Sequence, residues 1–254
     1  MILSKKATFL FTTLLILGIF FRFSNLDQKI YWGDESFTSL RIAGYTSQEF
    51  RKELLSQQPM SAGELQKYQY PAPNTTINVL EILNNCAKET LEYHTPLYFI
   101  VLRFWVEWFG NSVTVIRSLS AVISLLALPC IYWLCLELFD FPPTGWIAMT
   151  MLAVSPLQLL YGQEARPYGM LILAILLSSA VFLWAYRGKK IFRWSLYSLT
   201  IVLGLYAHFL FVLLAISHGI YILFNDRFHL GKNFVYYLIS WGTGIILFRS
   251  EEHT

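Results

Sequence analysis

Long apolar runs broken by short polar segments set the pattern of this chain: residues 7–23, 113–138, 144–160, 170–186, 194–207, 209–224 and 234–248. A helix rises about 1.5 Å per residue and the hydrocarbon core is about 30 Å thick, so runs of this kind predict membrane-spanning helices. Seven spans are expected, the fifth and sixth short and joined at His208. Between the first and second runs, residues 25–112 are largely polar, with turn chemistry at Pro71-Ala72-Pro73-Asn74. That stretch is far longer than an ordinary helix connection, which marks it as a functional loop. Its last part, 94–109, is apolar but interrupted by Arg103 and Glu107 and fringed by Trp105 and Trp108. At about sixteen residues it is short for a crossing and reads as an amphipathic helix lying on the outer surface.

Composition agrees: 56% of residues are hydrophobic, 17% aromatic and only 14% charged, against roughly 25% charged in soluble domains. The fold class is therefore an all-α polytopic membrane protein. Basic residues gather in short clusters between apolar runs rather than in a stripe, and a net charge of +3 gives no footprint for nucleic acid. Lys5 and Lys6 place the amino terminus in the cytoplasm, and the cluster Arg187, Lys189, Lys190 and Arg193 then also falls inside. No small-residue cleavage site follows the first run, so it is expected to remain as an anchor. The expected organisation is a first transmembrane helix over 1–24, an extracytoplasmic loop over 25–112 with its surface helix at 94–109, and six further spans over 113–248. The tail 249–254 can be encoded as AGA TCG GAA GAG CAC ACG, the opening of a common sequencing adapter, so the natural gene is expected to continue past Phe248. Cys86, Cys130 and Cys135 match neither a zinc site nor a disulfide framework. Asn74-Thr75-Thr76 forms a glycosylation triplet of low specificity.

The candidate chemistry lies in polar clusters that this topology brings to one outer face. Asp34 and Glu35 follow the first span, His94 opens the surface helix, and Gln163, Glu164, Arg166 and Tyr168 lie between the third and fourth spans. His208 joins them from the fifth, whereas His218, mid-helix, reads as structural. A planar guanidinium suits phosphate bidentately, and Pro167 at a first helical turn would aim free backbone N–H groups at the same anion. A divalent metal on Asp34, Glu35 or Glu164 remains open. No glycine-rich phosphate loop, HExxH or Gly-x-Ser-x-Gly elbow is present. An outward-facing enzyme has no cytosolic nucleotide sugar at hand, so its activated donor would arrive through the membrane as a lipid phosphate.

Asp34-Glu35 after the first span, His94-Thr95-Pro96-Leu97 opening an apolar helix, and Gln163-Glu164-Ala165-Arg166-Pro167-Tyr168 after Ser155-Pro156 together form a pattern. It resembles the membrane-embedded GT-C-type glycosyltransferases that use polyprenyl-phosphate sugars, most of all the branch of protein mannosyltransferases and lipid A aminoarabinose transferases. The resemblance implies a GT-C-like bundle in a bacterial plasma membrane, with a large first outer loop carrying surface helices and a catalytic aspartate. It makes Asp34 the general base candidate with Glu35 its neighbour, and sets His94 and Arg166 near the donor phosphate or the acceptor. Tyr206-Ala207-His208-Phe209 also looks like a family element, while Thr95 stands where the family has a second proline and the family's carboxy-terminal spans are missing. The implied reaction is inverting transfer of a sugar from a polyprenyl-phosphate donor to a lipid, glycan or protein hydroxyl. The competing reading is a transporter or flippase for a lipid-linked anion, disfavoured because the charges gather at helix ends and no internal repeat is visible.

Overall fold

The structure, a computed structural model, describes residues 4–56, 61–70, 82–83, 95–188 and 190–249. His94, Cys86, the Asn74 triplet and the tail beyond Arg249 lie outside the described residues. Helix α1 (Lys5–Phe23) is followed by three short helices, α2 (Gly33–Ile42), α3 (Ser47–Leu54) and α4 (Ala62–Gln69). Then come α5 (Leu97–Phe109), α6 (Val113–Phe139), α7 (Pro142–Val154), α8 (Pro156–Gly162) and α9 (Tyr168–Arg187). The chain continues through α10 (Ile191–Ala207), a 3-10 turn at Phe209–Phe211, α11 (Val212–Asn225) and α12 (Lys232–Arg249). Among the described residues there is no strand. The protein is an integral, all-helical membrane protein.

Helices α1, α6 and α9 are each long and apolar enough to cross a bilayer. The run expected as a third span is instead broken at Ser155–Pro156 into α7 and α8, which meet at 58°. Proline at 156 has no N–H to continue the ladder, and its ring clashes with the preceding turn. Taken together the bent pair makes a fourth candidate span, while Ile191–Ala207 and Phe209–Asn225 are shorter apolar helices.

Breaking a helix among apolar neighbours leaves carbonyls that water cannot reach. Arg22, fully buried, meets that need. Its Nη1 donates to the carbonyls of Ala153 at 2.6 Å and Gly18 at 2.8 Å, its Nη2 to Leu152 at 3.2 Å, and its Nε to Ser124 Oγ at 2.9 Å. A cation at a helix C-terminus also opposes the negative end of the helix dipole. One side chain thus ties α1 to α6 and to the end of α7.

Two cores flank the long pair α6 and α9. Phe182, Trp194, Tyr197, Phe211 and Trp241 pack α9 to α12 together. Within this core His218 stacks on Phe182 at 4.1 Å, and its Nδ1 lies 2.8 Å from Tyr197 Oη, which also accepts from Trp241 Nε1 at 2.9 Å. His218 is therefore a packed core residue, as its sequence position suggested. The second core gathers Ile42 of α2 with Tyr98, Phe99 and Leu102 of α5 and Ile116 and Leu119 of α6. Helix α5 buries one stripe there and leaves Phe104, Trp108 and Phe109 exposed on another. Those aromatic side chains suit the headgroup level of a bilayer.

Candidate active site

Asp34 and Glu35 occupy the first turn of α2, where carboxylates are favoured by the helix dipole. Consecutive helical residues diverge by roughly 100° around the axis, so the two side chains part company. Glu35 turns inward and is fully buried. Its Oε1 accepts from Arg117 Nε at 2.8 Å and from the Ala165 backbone N–H at 2.9 Å, and its Oε2 from Arg117 Nη2 at 2.6 Å. The remaining N–H groups of Arg117 reach the carbonyls of Leu26, Lys29 and Ile30, so all five donors of this buried guanidinium are satisfied. Arg117 thereby orders the turn that connects α1 to α2, and the Tyr31 ring lies under it at 5.3 Å.

Asp34 faces the other way, with 38% of its side chain exposed. Its Oδ2 lies 3.2 Å from Arg166 Nη2, and its backbone carbonyl accepts from Arg166 Nη1 at 3.1 Å. The loop between α8 and α9 is therefore fastened to α2 at two successive positions, Ala165 on Glu35 and Arg166 on Asp34. Arg166 is largely buried and lies over the Tyr168 ring at 5.4 Å, with Tyr168 Oη accepting from its Nη2 at 3.3 Å. Pro167 takes the N-cap position of α9, immediately before the first turn in which the sequence pattern placed it.

His208 stands at the break between α10 and the 3-10 turn, buried, its ring 6.2 Å from that of Tyr168. Its Nδ1 accepts from the Leu210 N–H at 3.2 Å, which leaves the proton of the neutral ring on Nε2. Burial, and then the nearby Arg166 charge, push its pKa below the ordinary histidine value. Glu164 lies beside the cluster and pairs with Lys29 Nζ at 3.3 Å.

The structure thus brings Asp34, Arg166, Tyr168 and His208 together and sends two of the expected site residues elsewhere. Glu35, expected beside Asp34 in the chemistry, is instead enclosed with Arg117. Gln163 donates through Nε2 to the carbonyls of Phe21 at 2.6 Å and Ser24 at 3.1 Å, closing the open end of α1. Among the described residues no group of three or more His, Cys, Asp or Glu side chains converges. The carboxylates of Asp34, Glu35 and Glu164 each face a different cation, Arg166, Arg117 and Lys29, a donor set that does not fit a divalent ion.

Residues 93–249 match the family model of the dolichyl-phosphate-mannose-protein mannosyltransferases. The chain belongs to that family. It is a GT-C-type glycosyltransferase of the polyprenyl-phosphate-sugar class. The match takes in Arg117, Arg166, Tyr168 and His208, while Asp34 and Glu35 precede it. No curated protein matches the chain, and no solved structure does.

The structure adds Arg117 and Lys29, two cations that sequence reading passed over. Arg117 falls inside the apolar run 113–138, and an arginine at such a position is a signal in its own right. Lys29 carried no comparable signal, because a lysine in a polar turn is ordinary.

Proposed function

We propose that this mannosyltransferase-family chain transfers a sugar, with inversion, from a polyprenyl-phosphate donor to a hydroxyl of a lipid, glycan or protein acceptor outside the cytoplasm. The observation that carries the reading is a half-exposed carboxylate, Asp34, held 3.2 Å from the largely buried guanidinium of Arg166. In the proposed reaction the acceptor oxygen attacks the anomeric carbon and its proton passes to Asp34. The bond from that carbon to the phosphate oxygen breaks, and the polyprenyl phosphate leaves with the electron pair. A phosphate leaving group is a weak base, so one carboxylate suffices where a glycoside hydrolase needs two. Arg166 offers fixed donors to the charge that develops on the departing phosphate.

Glu35 serves this site by position. Through Arg117 and Ala165 it joins the turn after α1, the start of α2 and the loop bearing Arg166, so that base and guanidinium share one frame. The placement on the outer face is supported by polarity along two helices. Helix α1 begins at Lys5 and Lys6 and ends beside the site, whereas α9 begins at the site and ends at Arg187. At about 1.5 Å per residue each separates its two ends by roughly a bilayer core.

The test is transfer of labelled sugar from polyprenyl-phosphate donors by wild type and Asp34→Asn in membranes. Loss of about 10²–10⁴-fold in turnover is expected for removal of a general base. Turnover kept within threefold would remove Asp34 from the chemistry.

A further inference from the structure

At the seam between the end of α1 and α8 an open groove of about 750 Å³ adjoins the site without belonging to it. Phe20, Phe21 and Leu159 form an apolar wall, and Asn25, Gln28 and Lys29 stand along a polar rim. Among the described residues no carboxylate lines it. We propose that this groove holds the headgroup of an anionic glycerophospholipid, with Lys29 as the cation that meets its phosphate.

Position argues for a lipid. Only 11% of the spanning window of α1 is buried inside the protein, and Phe20 is 61% exposed, so this helix offers an apolar surface to acyl chains. The polar rim begins just past Phe23, the last residue of the helix, where hydrocarbon gives way to headgroups. Size agrees, since the volume falls within the roughly 300–1,000 Å³ of small-molecule sites.

Charge selects the headgroup. Lys29 has 36% of its side chain exposed, and its ammonium rests 3.3 Å from Glu164 Oε1, whose side chain is 10% exposed. A compact ammonium on a flexible stem can swing from that carboxylate to an entering phosphate diester. Glu164 is then a competitor for Lys29 and sets the affinity of the groove. Lipid binding here would place a bilayer component beside Gln163 and Glu164, the residues that precede Ala165 and Arg166 in the loop that carries the site.

The experiment is native mass spectrometry of the purified chain titrated with phosphatidylglycerol and, separately, phosphatidylcholine. Wild type should prefer phosphatidylglycerol by about tenfold, and Lys29→Gln should bring the ratio near one. Glu164→Gln should tighten phosphatidylglycerol binding, a gain that a misfolded protein cannot produce, and the Lys29→Gln/Glu164→Gln double variant should lack the gain. Arg166→Gln should leave this binding unchanged, which separates the groove from the proposed catalytic site whatever that site does. Equal binding of both lipids, a preference that survives Lys29→Gln, or displacement of phosphatidylglycerol by equimolar polyprenyl phosphate would each overturn the assignment.

Discussion

Arg117 and Glu35 meet edge to edge in the interior, with Nε 2.8 Å from Oε1 and Nη2 2.6 Å from Oε2, although 82 residues separate them in the chain. Removing either partner strands a buried charge, at a cost of about 3–5 kcal/mol. Asp34 is half exposed, and Arg166 keeps its bonds to the Asp34 carbonyl and Tyr168 without the carboxylate, so this pair contributes less than the enclosed one. Unfolding followed in mild detergent should therefore show Glu35→Gln strongly destabilised and Asp34→Asn close to wild type. Equal stabilities would sink the distinction between a frame carboxylate and a working one.

Arg166 is asked both to hold Asp34 and to receive the donor phosphate. Asp34→Asn removes the competing charge, so this variant should bind polyprenyl phosphate about two- to fivefold more tightly while failing to turn over. Arg166→Gln should raise KM for the donor, and Arg166→Lys should recover only part of the loss because it lacks the planar fork. Weaker donor binding by Asp34→Asn would show that the two residues do not compete.

His208 gives the fold a pH dependence of definite sign. Burial and the Arg166 charge favour its neutral form in the folded state. Its contribution to stability is fully present above the unfolded value of about 6.5, and it is lost as pH falls from there through the lowered folded value. Melting temperatures measured from pH 8 to pH 5 should fall on the acid side for wild type, and they should fall less steeply for His208→Gln. A limb unchanged by the substitution would assign the acid sensitivity to other groups.

Gly18 permits the close approach of α1 to α7. A Cβ built there would lie 2.5 Å from the Ala153 carbonyl oxygen, a backbone atom that is itself bonded to Arg22. Gly18→Ala should cost about 1–3 kcal/mol through overpacking, despite alanine's better helix propensity. Gly33→Ala, with open space around its Cβ position, serves as the control. Comparable unfolding of the two variants would refute the tight contact.

The all-helical build and the long helices α1, α6 and α9 were legible because lipid admits few backbone solutions, whereas run length alone did not tell the shorter apolar helices from spans. Arg166 and His208 stood out for a related reason, since polar groups at the ends of apolar runs have few places to go, and Asp34 stood out as part of an acidic pair in the segment that follows the first run. Glu35 shows where such reading stops. Adjacent carboxylates look alike along a sequence, and only the helical rotation of α2 and the arrival of Arg117 from another helix tell them apart. Gln163 carries the same lesson: its amide was free to serve a ligand or a helix end, and the choice was made by where α1 finishes. The break at Ser155–Pro156 was written in the proline, but its viability depends on Arg22, which on sequence alone reads as a stop signal after an apolar run.

That dependence on Arg22 has a bearing on biogenesis. Helix α1 is synthesised before α6 and α7, yet the groups on them that receive its guanidinium lie 102 to 131 residues further along. Until they are made, the charge must stay with water or headgroups by snorkelling toward the surface. Helix α1 thus has to wait in the membrane before it can be seated, and its docking reports that the broken helix has arrived.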